Sequence, residues 1–126
     1  MNSHGWLFAA AGYNLALVMF HLGFWRIFRW RDELLKLHPV NRGVMQVMNL
    51  MLIFVFLFMA VLQVAFAAEF MGSSLGHALL VFMAGFWLVR AILQPVLFDR
   101  SSAVSWAFVL VFLTGAALHA CAWWSA

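Results

Sequence analysis

Apolar residues fill this chain in four long blocks of roughly 20 residues, and charges gather in the short stretches between them. The pattern predicts an all-α polytopic membrane protein, a bundle of four transmembrane helices. They run from about Gly5 to Trp25, Val44 to Ala68, His77 to Phe98 and Val104 to Trp124. After the first block, Phe28, Leu34, Leu35 and Leu37 alternate with Arg26, Arg29, Arg31, Asp32, Glu33 and Lys36, the pattern of a short amphipathic helix lying on the membrane surface. Pro39 should stop that helix, and Asn41 can cap the next. Glu69 marks the far end of the second span, and Gly72 to Gly76 make a tight turn. Pro95 is expected to bend or break the end of the third span. Asp99 to Ser102 form the last loop, with a serine available as cap.

Composition sharpens this picture. The chain is 67% hydrophobic and 9% charged, where a soluble domain carries roughly 25% charged residues. No water-soluble surface can be built from so few charges, and 126 residues leave room for one transmembrane domain and no separate soluble catalytic domain. Seven Lys and Arg against four acids would elsewhere suggest nucleic acid. Here Arg26, Arg29, Arg31, Lys36 and Arg42 fall in the first loop, Arg100 in the last, and Arg90 near the same end of the third span. By the positive-inside rule this end is cytoplasmic, which places both termini outside. The segment before Gly5 has no basic side chain, so the first helix is expected to be an uncleaved span rather than a signal peptide. Trp6, Trp123 and Trp124 would mark the outer interface, and Trp25, Trp30 and Trp106 the inner one. Gly23-Phe24-Trp25 echoes Gly85-Phe86-Trp87, but three shared residues arise easily by chance in so aromatic a chain.

Candidate chemistry lies with the polar residues at membrane depth: Asn14, His21, Gln46, Asn49, Gln63, Arg90, Gln94, Thr114 and His119. Counting about 1.5 Å per residue from the loops puts His21, Gln46, Asn49, Arg90 and Gln94 in the inner third of the bilayer. Asn14 and His21, Gln46 and Asn49, and Arg90 and Gln94 are spaced to share a helix face. Together these groups would make an inner-leaflet pocket, and Arg90 is its sharpest member, because a guanidinium in hydrocarbon costs on the order of 3 kcal/mol unless paired or hydrated. A cation with five donors, an imidazole and three amides make an anion-accepting site, suited to a lipid phosphate, a carboxylate or a quinone carbonyl. The bland alternative has Arg90 reaching the headgroups or Asp99, and the amides and His21 simply bonding helix to helix.

The outer side offers His4, Glu69, His77 and His119, whose spacing matches no metal motif; Gln63 could bond His119 instead. His77 and His119 differ in depth by about a helical turn, which leaves haem b without support. Cys121 is the one cysteine and sits among alanines, with no base nearby to activate it. Small residues at Gly5, Ala9 and Gly12, and at Gly115, Ala116 and Ala120, would let helices approach closely or self-associate.

The residues His21-Leu-Gly-Phe24-Trp25, Asn41-Arg42, Met45-Gln46, Asn49 and Phe86-Trp87-Leu-Val-Arg90-Ala91 with Gln94 resemble those of a group of short four-helix bacterial membrane proteins with no assigned activity. The resemblance covers three helices and implies a bacterial inner-membrane setting. The reading expected to hold is a membrane interaction protein, not an enzyme, that binds a lipid or a membrane-protein partner through the inner pocket, alone or within an oligomer. The alternatives are a homo-oligomeric transporter or channel, for which no membrane-embedded carboxylate is present, a haem- or quinone-binding redox subunit, and a small enzyme acting on lipid.

Overall fold

In the computed structural model, which describes residues 2–126, every regular element is helical. They are α1 (Ser3–Leu22), α2 (Phe24–Ile27), α3 (Trp30–Glu33), a 3-10 turn at Leu34–Lys36, α4 (Pro39–Ala65), α5 (Ala67–Gly72), α6 (Ser74–Leu97) and α7 (Ala103–Trp124). Four of these, α1, α4, α6 and α7, are long and apolar enough to cross a membrane. Between 22% and 33% of the most apolar stretch of each is buried within the protein. The remaining surface is largely Leu, Val, Ile, Phe and Met open to the surroundings, which only a hydrocarbon solvent would leave without penalty. The chain is by these features a multi-pass membrane protein.

The helix ends differ from expectation for local reasons. Asn2 Oδ1 accepts from Gly5 N at 2.8 Å and so caps α1, which begins at Ser3. Pro39 opens α4 where it was expected only to end what precedes it: a proline at the first helical position gives up an N–H that has no intrahelical partner anyway. Asn41 therefore lies inside the first turn and is not the cap; the His38 ring accepts from Val40 N at 3.4 Å. At its other end α4 stops at Ala65, and a kink at Phe66 (φ −121°, ψ 38°) separates it from α5. Nor does Pro95 break α6, which runs on to Leu97. So near a C-terminus the lost bond is one of few, and Arg100 Nε donates to the Pro95 carbonyl at 2.8 Å. The stretch expected as one amphipathic helix is folded into α2, α3 and the 3-10 turn, with Arg29 between the first two in the left-handed region (φ 50°). Trp30 and Leu34 are buried there, with the Trp30 ring edge-on to Phe24 and Trp25 at 5.4 and 5.2 Å.

Two compact units divide the chain, one formed by Ala11–Leu62 and the other by Met1–Ala10 with Gln63–Ala126. Within the first, α1 meets α4 through His21 and Phe56, edge-on at 5.4 Å. In the second, α6 and α7 form a hairpin, and Gly76 lets α6 pass so close to α5 that a Cβ there would lie 2.5 Å from Phe70 backbone atoms. Ser73 joins these two helices, donating to Glu69 O at 2.6 Å and accepting from Gly76 N at 3.0 Å. Along α6 the buried positions recur every three or four residues, at Gly76, Leu80, Met83, Trp87, Ala91 and Gln94, and on α4 and α7 they keep to one face with gaps of up to seven. Most of the polar residues in the spans lie on these stripes, Thr114 being an exposed exception that bonds back to Leu110 O at 2.9 Å.

Candidate functional site

Two polar clusters stand out, one in each unit. In the Ala11–Leu62 unit, His21 ends the buried stripe of α1, and its Nδ1 lies 2.8 Å from Leu17 O. A carbonyl only accepts, so Nδ1 carries a proton and donates it to Leu17 O. The ring stacks on Phe24 at 4.6 Å. Asn49, 3% exposed on α4, donates from Nδ2 to the backbone carbonyl of His21 at 3.2 Å, tying α4 to α1. Its Oδ1 is buried without a hydrogen-bond partner among the described residues. Gln46 turns to its own helix and donates to Arg42 O at 3.2 Å. The arrangement is that of a packing contact: His21 is seated between aromatic rings and Asn49 holds backbone.

The second cluster belongs to the α6–α7 hairpin, at the end carrying Pro95. The guanidinium of Arg90 lies over the Phe112 ring at 4.3 Å and over the Phe98 ring at 5.5 Å. Phe112 in turn stacks on Trp87 at 5.9 Å with an interplanar angle of 6°. Arg90 is thus held by aromatic faces, where a half-buried cation is favoured electrostatically. No carboxylate faces it: among the described residues, the ion pairs are Arg29 with Asp32 and Lys36 with Glu33. Asp99, the acid nearest in sequence, is turned to Ser101, accepting from its backbone N–H at 2.9 Å and from its hydroxyl at 2.8 Å. Those two bonds, the backbone one first, hold the Asp99 carboxyl below the usual carboxylate range. One helical turn beyond Arg90, the buried Gln94 donates from Nε2 to Ser105 Oγ of α7 at 3.3 Å, while its Oε1 has no hydrogen-bond partner among the described residues. A charge without a counter-charge and an acceptor without a donor therefore share one face of α6.

The remaining candidates are spent locally. His77 approaches Met71 O through Nε2 at 3.1 Å, which commits the nitrogen that a haem iron would ordinarily take. His119 and Gln63 are fully buried, and His119 Nδ1 donates to Gly115 O at 2.7 Å. No group of three His, Cys, Asp or Glu is placed to hold a metal among the described residues. Cys121 sits at an open groove of about 480 Å³ whose other lining residues are Trp6, Ala117, Ala120, Trp123, Trp124 and Ser125. Its walls are almost wholly apolar and offer no chemistry beyond the burial of hydrocarbon.

Of the five residues expected to make the inner pocket, the structure brings His21 to Asn49 in one unit and places Arg90 beside Gln94 in the other. Gln46 bonds its own helix instead. Two residues that contact the Arg90–Gln94 cluster escape sequence reasoning, Ser105 and Phe112. Ser105 had a signal, since it enters α7 from the Asp99–Ser102 loop at nearly the depth at which Gln94 leaves α6. Phe112 had none, being one of fourteen phenylalanines. No family model matches the chain, and comparison with curated proteins and with solved structures finds no match.

Proposed function

We propose that this is a small inner-membrane interaction protein, with both termini outside the cytoplasm, that binds the phosphate of an anionic lipid in the cytoplasmic leaflet through Arg90. The observation that carries the reading is the Arg90 guanidinium, seated on Phe112 with no carboxylate in ion-pair range among the described residues. A guanidinium without a counter-charge can donate its planar N–H fork to a phosphate, and a phosphate is the anion that a membrane surface supplies in abundance. The position of the lysines and arginines supports the orientation.

The segment between α1 and α4 would rest on the same surface. Ile27, Phe28 and Leu35 are exposed there beside Arg26 and Arg31, whereas Asp32 and Glu33 are engaged by Arg29 and Lys36. Net positive charge interleaved with exposed apolar side chains suits the boundary between headgroups and acyl chains.

Native mass spectrometry of the chain extracted in a mild detergent tests the reading. The wild type should retain phosphatidylglycerol through detergent exchange and Arg90→Gln about tenfold less, the loss of one charge-assisted contact. Equal retention by both, or a co-purifying protein in place of lipid, would exclude a lipid phosphate at Arg90.

A further inference from the structure

Gln94 adds a selectivity that the Arg90 charge alone cannot supply. Its amide nitrogen donates to Ser105 Oγ at 3.3 Å, and the atom without a partner is Oε1, which is buried and lacks a donor among the described residues. A buried carbonyl is costly to leave unpaired, and a carbonyl can only accept, so whatever completes this site must bring a hydrogen. Arg90 lies one turn earlier on the same face of α6, within the span of a small phosphodiester headgroup. Gln94 is also only three residues from the end of α6 at Leu97, so a headgroup entering from that end passes a single helical turn.

The choice of donor follows from the charges around it. A quaternary ammonium has no hydrogen to give. A primary ammonium would enter at the end of α6 that carries two guanidiniums, Arg90 and Arg100, against the single carboxylate of Asp99, and so meets a net positive charge. A neutral hydroxyl meets neither obstacle. Resting on the reading of Arg90 as the phosphate-binding group, we infer that the site selects a phosphodiester bearing a hydroxyl on its headgroup, the hydroxyl donating to Gln94 Oε1, as in a glycerol-type phospholipid.

Two lipids of equal charge and equal acyl chains separate the terms: phosphatidylglycerol, which carries the hydroxyls, and phosphatidylmethanol, which does not. Offered in equal amounts to the detergent-solubilised full chain and read by native mass spectrometry, the wild type should retain phosphatidylglycerol about fivefold over phosphatidylmethanol, one neutral hydrogen bond in size. Gln94→Leu should bring that ratio to about one while still retaining phosphatidylmethanol through Arg90. A wild type that retains both lipids equally sinks the hydroxyl proposal alone, and that comparison needs no variant to fold. A Gln94→Leu chain that keeps the preference also overturns it. A wild type that retains neither lipid overturns instead the reading of Arg90. Soluble glycerophosphoglycerol in millimolar excess should leave the lipid in place; if it displaces the lipid, the same headgroup chemistry serves a soluble ester and the lipid assignment falls.

Discussion

The Arg90 guanidinium sits 4.3 Å from the centroid of the Phe112 ring, so the charge on α6 is positioned by an aromatic side chain of α7. Phe112 is itself fixed against Trp87, which links the site to the buried stripe of the hairpin. Position and charge can therefore be separated by mutation. Arg90→Lys keeps the charge but loses the planar face and the fork. It should change stability by less than about 1 kcal/mol and lower phosphatidylglycerol retention several-fold, measured by unfolding in mixed micelles and by native mass spectrometry of the same samples. Retention equal to the wild type would mean that the fork geometry is irrelevant.

Two glycines of α6 should respond in opposite directions to alanine. At Gly76 a Cβ would press on the Phe70 backbone and Glu69 O at 2.5 Å, atoms that cannot rotate away. Gly76→Ala should cost about 1–3 kcal/mol. At Gly85 nothing lies within 4 Å of the added carbon, and the gain in helix propensity should leave the chain neutral or more stable by up to about 1 kcal/mol. Thermal unfolding of both variants in one detergent decides; a destabilised Gly85→Ala would contradict the open space seen there.

Asn49 offers a test of the α1–α4 contact. Asn49→Leu removes both the bond to His21 O and the Oδ1 that has no donor, so the losses largely offset and the cost should be about 0.5–1 kcal/mol. Asn49→Asp, as the carboxylate, cannot donate to His21 O and places a charge in the same buried spot, at a cost of about 3 kcal/mol. If the two variants unfold at the same denaturant concentration, the Nδ2 bond is not what holds these helices.

The pH response of the α6–α7 loop follows from Asp99. Its carboxyl is held low by the Ser101 N–H and hydroxyl, so it lends stability at pH values above its unfolded value, and that stability is lost as pH falls through the lower, folded value. Ser101→Ala removes only the hydroxyl part and should move the Asp99 titration upward, toward an ordinary carboxylate, by carboxyl-carbon NMR. An unchanged titration would assign the whole effect to the backbone N–H.

How much of this was legible in sequence depends on what sets each feature. The four spans are readable because length and apolar content alone decide them, and α7 begins and ends within a residue of expectation. Boundaries at α4 were less so. Asn41 and Arg42 look like loop residues, yet Pro39 at the first helical position extends the helix back over them. The buried faces could not be read from hydropathy, since a span is apolar on the side that meets lipid as well as on the side that meets protein. Polar residues were the usable marks, and Asn14, His21, Asn49, Gln63, Gln94 and His119 do fall on buried stripes. What those residues bond to was not legible. His21 and His119 bond carbonyls of their own helices, and Gln94 finds Ser105 only because the hairpin brings their depths together.

The most direct measurement of Arg90 as a phosphate-binding group is the shift in melting temperature of the detergent-solubilised chain on titration with phosphatidylglycerol, compared with phosphatidylcholine, for the wild type and Arg90→Gln. Ligand that binds only the folded state raises stability by RT ln(1 + [L]/Kd). The wild type should therefore melt progressively higher with the anionic lipid and much less with phosphatidylcholine, while Arg90→Gln should respond to both alike. An Arg90→Gln chain stabilised by phosphatidylglycerol as strongly as the wild type would contradict the assignment.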